Sequence, residues 1–221
     1  MLIETDVGVS WRHGQDWSGE QLNHFAGAIS TFTGAPRPLT LYEAGEEIFG
    51  PASRGQALFQ VAFGVARVCS VLNDGRRTIT AFHLPGEIFG FEPAGSPFRA
   101  EAVEGLGLRM LPLPRDRSLA GELQQVALSR LAAVQEHLLV VGRQTAIERI
   151  AAFLIDMGRR QKRSEVIDLP MPRCDIADYL ALTPETVCRV FKQLRERHLI
   201  DFTSARRVTV RSQGALQALI D

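Results

Sequence analysis

Between about Leu39 and Leu113 the apolar positions come in short runs (Leu39–Tyr42, Ala57–Phe63, Val65–Leu72, Thr78–Leu84, Ala100–Val103 and Leu108–Leu113), with Gly and Pro between them. Many short apolar segments closed by turn signals predict an all-β sandwich or barrel. The clearest hairpin runs from Val65 to Phe82, where Asn73-Asp74-Gly75 supplies residues tolerant of positive φ between two alternating segments. Ala44-Gly45 and Pro85-Gly86 mark further corners.

The period changes after Pro114. From about Leu119 to Gly142 there is no proline, and Ala127, Leu131, Val134, Leu138, Val141 and Thr145 recur at alternating steps of four and three. This is the stripe of a helix packed on a partner, and over so few heptads it fits a seam between two copies as well as a cover over the β-domain. A second helix follows with Ile147, Ile150, Ala151, Leu154 and Ile155 on one face, and ends near the polar run from Gly158 to Ser164.

Further on, Ile176, Ala177, Leu180 and Leu182 lie on a short helix and the turn after it, and another helix opens at Thr183-Pro184-Glu185. Thr183 suits the N-cap because its hydroxyl can accept from an orphan amide, and Pro184 suits the first helical position, where its missing N–H costs nothing. Glu185 complements the positive helix end. Val187, Val190, Phe191, Leu194 and His198 then line one face, and Glu185, Cys188, Arg189, Lys192 and Glu196 the opposite one. Two helices joined by a short turn, the second polar and basic outside, predict a helix-turn-helix whose second helix enters the major groove. Thr203 to Val210, with Arg206-Arg207 at a turn, reads as a β-hairpin wing whose arginines meet phosphate.

Charge sharpens this picture. The 221 residues carry 25 Lys+Arg and 25 Asp+Glu. Yet residues 186–211 hold seven basic side chains (Arg189, Lys192, Arg195, Arg197, Arg206, Arg207, Arg211) against two acids, Glu196 and Asp201. A short positive stripe on a neutral chain points to a local anionic partner. Three cysteines and 45% apolar residues exclude a disulfide scaffold and a predominantly disordered chain. No apolar run is long enough for a membrane span, and Met1-Leu2-Ile3-Glu4-Thr5-Asp6 lacks the order of a signal peptide, so no membrane association and a cytoplasmic location are expected.

The stretch Asp175-Ile-Ala-Asp-Tyr-Leu-Ala-Leu-Thr-Pro-Glu-Thr-Val-Cys-Arg189 resembles the helix-turn-helix of the Crp/Fnr family of bacterial transcription regulators, and within it the FixK-type branch, with Glu185, Cys188 and Arg189 at the positions of the family's E-x-x-S-R. Gln135-Glu-His-Leu-Leu and Gln144-Thr-Ala-Ile-Glu-Arg-Ile-Ala-Ala-Phe-Leu resemble its dimerisation helix and the helix after it. Leu84-Pro-Gly-Glu-Ile-Phe-Gly90 and Phe98-Arg-Ala-Glu-Ala-Val103 resemble corners of its β-roll. The resemblance implies an α+β architecture: a cyclic-nucleotide-binding-type β-roll over 1–115, a long dimerisation helix over 116–143 and a winged helix-turn-helix over 144–221. It also implies a homodimer, paired through Leu131, Val134, Leu138 and Val141, that reads an inverted repeat with TTGA-like half-sites on double-stranded DNA. In that reading Arg189 donates to a guanine, Glu185 accepts from a cytosine amine, Cys188 faces the base edges, and Thr183, Lys192, Arg206 and Arg207 meet phosphates. An activator that recruits RNA polymerase, as FixK-type relatives do in low-oxygen and nitrogen-fixation circuits, completes the implied picture.

Three departures bear on the signal. Cys69, Cys174 and Cys188 are too few and too far apart for an iron-sulfur cluster, and Cys69 and Cys174 are expected to be buried and inert. Where cyclic-AMP-binding relatives use a Gly-Glu and an Arg-Ser pair, this chain has Gly86-Glu87 and Arg99 but Ala100 and then Glu101, a carboxylate that repels phosphate, so Glu87 and Arg99 mark a degenerate pocket. Cys188, in place of serine beside Arg189 and near a helix N-terminus, is a candidate for oxidation that would make DNA binding redox-sensitive. No cofactor is expected. The second reading is a regulator gated by a small molecule in the β-roll. The remote third, a cupin-like metal enzyme, needs clustered ligands, whereas His83 stands alone in its strand and His13, His24, His137 and His198 form no motif, so neither a metal site nor catalysis is expected.

Overall fold

The computed structural model describes residues 38–53, 57–93, 95–111, 117–163 and 165–221, with the side chains of all of these except 117–123. The N-terminal segment, with His13 and His24, lies outside the described residues.

Among the described residues eight strands come first: β1 (Leu39–Tyr42), β2 (Glu47–Phe49), β3 (Leu58–Phe63), β4 (Ala66–Val71), β5 (Arg77–His83), β6 (Ile88–Phe89), β7 (Phe98–Ala102) and β8 (Leu106–Leu111). They form two four-stranded sheets, β1-β8-β3-β6 and β2-β7-β4-β5. β1 and β3 both run antiparallel to β8, with Leu41 opposite Gly107 and Val61 opposite Leu108. The alternating segments put Leu58, Val61, Ile79, Phe82, Phe89, Ala100, Leu106 and Leu108 in the interior. Gly64 turns the β3–β4 corner at φ +77, where a Cβ would collide with the Gly105 carbonyl. The predicted hairpin is present, with Gly75 at φ +83 and its amide donating to the Leu72 carbonyl at 2.9 Å.

The helical part begins with α1 (Arg117–Val141) and α2 (Ala146–Arg160), then β9 (Val166–Asp168), α3 (Arg173–Leu180), α4 (Pro184–Glu196), β10 (Ile200–Ser204), β11 (Arg207–Val210) and α5 (Gln213–Gln217). β10, β11 and β9 make a three-stranded antiparallel sheet. The predicted wing is its outer hairpin, and β9 is an addition too short to show a period in the sequence. The core beneath it holds Ile150, Phe153, Leu154, Met157, Ile167, Ile176, Leu180, Val187, Phe191, Leu194 and Val208.

The contacts gather into two compact units. Of the described residues, the first takes those up to Cys69 together with those between Phe82 and Val126, and the second Ser70–Ala81 together with Ala127–Asp221. The tip of the β4–β5 hairpin therefore belongs with the second unit, although its strands continue into the first.

Two expectations are corrected. Cys174 is exposed, because Asp175 and Ile176 take the inward positions at the start of α3, while Cys69 is buried as expected. His198 does not extend the packing face of α4: the helix stops at Glu196, and His198 sits outside it, exposed, at φ +56.

Candidate nucleic-acid interface

α4 begins as its first residues dictate. Thr183 is the N-cap, its hydroxyl accepting from the Thr186 amide at 3.2 Å, and Pro184 follows inside the first turn. Hydrogen bonds from its own amide and from the Thr183 hydroxyl hold the Glu185 carboxyl below the usual carboxylate range. Val187, Val190, Phe191 and Leu194 are buried beneath the helix. The opposite side carries Glu185, Cys188, Arg189 and Lys192, all exposed. Arg189 has no ion-pair partner among the described residues, whereas Lys192 lies 3.7 Å from Glu196 in an exposed pair that solvent screens. A helix with one face in the core and an outward face of one carboxylate, one thiol and two cations has the form of a groove-reading element.

The turn before α4 is short and held at several points. Ala181 ends α3 in the left-handed region at φ +52, and the Leu182 amide closes back onto the Ala177 carbonyl at 2.9 Å. Arg149, on α2, donates to the Leu180 and Ala181 carbonyls at 3.2 and 3.3 Å and so satisfies the end of α3. Arg173 lies over the Phe191 ring at 4.1 Å and the Phe202 ring at 5.4 Å, tying the start of α3 to α4 and β10. Burial pushes the Arg173 guanidinium's pKa down, and its proximity to Cys188 works against that. On α1, His137 stacks on Tyr179 at 4.0 Å between centroids, and burial lowers its pKa against the pull of Asp156. Neither Arg149 nor Arg173 stands out by spacing. Only their place on helices flanking the turn singles them out.

In the wing, Arg206 is exposed at the β10–β11 turn. Arg207 donates to Asp168 through Nε at 2.6 Å, and Arg163 reaches the other oxygen of the same carboxylate at 3.1 Å. Arg207 is thus already partnered within the sheet.

On α1, Leu131, Val134 and Leu138 are 56%, 50% and 65% exposed, with Leu128 and Leu139 beside them, whereas Val141 is half-buried.

The residues of the second candidate site are dispersed. Glu87 accepts from the Leu84 amide at 3.2 Å within its own corner. Arg99 lies 4.0 Å from Glu47, and Ala100 is buried. Glu101 is held by Arg67 through Nε at 2.9 Å and Nη2 at 2.7 Å. The structure does not bring Glu87 and Arg99 together as a pair. Among the described residues no group of His, Cys, Asp and Glu has the arrangement of a metal site, and no helix is long and apolar enough to cross a membrane.

The family model described as a Crp-like helix-turn-helix domain matches residues 148–219, and the cyclic nucleotide-binding domain model matches residues 39–116. The chain is 45% identical to the nitrogen fixation regulation protein FixK of Rhizobium meliloti, over 83% of this chain and 88% of that protein. It is 34% identical to the transcriptional activatory protein AadR of Rhodopseudomonas palustris over 72% of each. Among solved structures, FixK2 from Bradyrhizobium japonicum matches with a TM-score of 0.76 and 36% identity, over 83% of this chain and 96% of that one.

Proposed function

Because the chain belongs to the Crp/Fnr family and is a DNA-binding transcription regulator of that type, we propose that it acts as a homodimeric activator of the FixK kind, reading an inverted TTGA-like repeat and recruiting RNA polymerase, in the cytoplasm. The observation that carries this reading is the outward face of α4, where Arg189 stands exposed and unpaired among the described residues beside Glu185 and Cys188. An uncommitted guanidinium at that position can donate two hydrogen bonds to one guanine. Glu185, already ordered by the helix start, accepts from a cytosine amine. Thr183, Lys192, Arg206 and Arg207 meet phosphates, and there Arg207 must share itself with Asp168. The uncovered Leu131, Val134 and Leu138, with Val141 at the end of the stripe, support pairing of two copies along α1. The functional division retains 1–115 as β-roll, 116–143 as dimerisation helix and 144–221 as DNA-binding domain. Names of relatives such as nitrogen fixation regulation protein support the same physiological setting for this chain.

Selection of duplexes from a random pool by reduced protein, with no effector added, tests the reading. An inverted TTGA-like repeat is the expected outcome, and a pool with no shared sequence would overturn it.

Cys188 adds a redox element. Its thiol is exposed on the DNA-facing side and close to Arg173. Oxidation to sulfinic or sulfonic acid sets a negative charge against the duplex and weakens binding. Peroxide is expected to abolish operator binding by the natural protein and to spare Cys188→Ser. Equal loss in both would remove Cys188 from the signal. The dispersal of Glu87 and Arg99 favours operation without an obligatory small effector.

A further inference from the structure

α3 has two faces. Ile176, Ala177 and Leu180 are buried beneath it, and Asp175, Asp178 and Tyr179 lie on the other side. That other side is held by residues far away in sequence. From the hairpin tip, Arg77 donates through Nε to Asp178 at 2.8 Å and through Nη2 to Asp175 at 2.5 Å, and from α1 His137 covers Tyr179. Asp175 is 1% exposed, so its charge is sealed in and answered by the guanidinium. Arg77 is presented stiffly: Leu72 donates to the Arg76 carbonyl at 2.8 Å, and Asp74 binds both the Arg76 amide, at 3.0 Å, and its side chain, at 2.6 Å. All of these groups fall within the second unit.

We propose that Arg77 is a positioning residue for sequence recognition: by gripping both carboxylates of α3 it fixes the helix whose short turn, Ala181 to Thr183, aims α4 at the base edges. The inference rests on the reading of α4 as the groove-entering helix. A planar fork spanning two carboxylates sets the direction of a helix as well as its distance, which a lysine ammonium or an apolar contact does not do. A small rotation of α3 passes through so short a turn into α4, moving Arg189 relative to a guanine while leaving phosphate contacts, which tolerate displacement, largely in place. Arg77 thus governs discrimination and not general affinity for DNA.

The test uses the full chain, measuring affinity for an inverted TTGA-like duplex and for an unrelated duplex of equal length, each corrected for the folded fraction. Arg77→Met takes the guanidinium away from the buried Asp175 carboxylate and can fail to fold, so Arg77→Met/Asp175→Asn, which removes that charge, and Arg77→Lys are measured beside it. The double variant is expected to lose about tenfold in the ratio of specific to unrelated affinity, with its salt dependence unchanged. Arg77→Lys is expected to recover part of that ratio. A folded double variant or a lysine variant with the natural ratio would overturn the proposal, and so would an equal loss on both duplexes, the mark of a merely structural role. If the natural protein itself fails to prefer the repeat, the recognition reading of α4 is what has failed, and this inference goes with it.

Discussion

The outward face of α4 and the Glu87 and Arg99 positions of the β-roll both carry charged groups considered for a phosphate-bearing partner, and they hold those charges in opposite ways. On α4, Arg189 is exposed and has no ion pair among the described residues. In the β-roll, Arg67 is spent on Glu101, Arg99 lies beside Glu47, and Glu87 is turned to its own corner's backbone. Groups paired inside the protein must break that pairing before they can meet a ligand, whereas an uncommitted guanidinium gives up only water. The difference is what the proposed reading rests on: the charges available to an anionic partner are those of α4, while those of the β-roll are already engaged.

The strongest attack on this comparison is to divide the molecule. Leu131→Glu/Leu138→Glu puts like charges on an exposed apolar stripe and is expected to yield monomers by sedimentation, with operator affinity falling roughly 10²- to 10⁴-fold as two-site binding is lost. A variant that stays paired would show that the stripe is not the seam. Next in size is Arg189→Ala. Competition between duplexes should show a loss of about 1–3 kcal/mol of preference at one guanine in each half-site, with other positions unaffected. Uniform weakening across sequences would instead make Arg189 a phosphate contact.

A smaller effect sharpens the comparison within the DNA-binding unit. Because Asp168 already holds Arg207, a phosphate at this position would have to share the guanidinium with it. Arg207→Ala should lower affinity alike for all sequences and reduce the salt slope by less than the roughly 0.9 per copy expected of a free contact. A full decrement would mean that Asp168 releases Arg207 on binding.

What was legible in the sequence followed from local periodicity. The Thr183-Pro184 start, the buried Val187, Val190, Phe191 and Leu194 and the outward Glu185, Cys188 and Arg189 all follow from helical spacing and are found so. Asn73-Asp74-Gly75 announced its hairpin equally well. The strands β2, β6 and β9 span only two or three residues, too few to show a period. His198 was misread because helical spacing continues on paper past the point where its positive φ ends the helix. Cys174 was misread because burial at the start of α3 goes to its neighbour, a carboxylate made tolerable there by Arg77. That pair is separated by 98 positions, and no local pattern announces it. The outward face of α4 was therefore readable, while the long-range contacts behind it were not.

The smallest expected effect is the most pointed test of the contrast. Arg99→Gln and Glu87→Gln remove the two charges that would define an effector pocket. Both side chains are half-buried, and Glu87 lies 3.7 Å from the buried His83, so each change should cost about 1 kcal/mol of stability. Because neither is joined to the other and each already has a neighbour in the fold, operator affinity should be unchanged in both variants, with or without added cyclic nucleotide. Filter binding of labelled cyclic nucleotide, together with operator titrations, checks this. A ligand-dependent gain in the natural protein that disappears in Arg99→Gln would mean that Arg99 exchanges Glu47 for phosphate. The corner would then be a closed sensor and not a lost one, and the two regions would differ only in whether their partner has to open them.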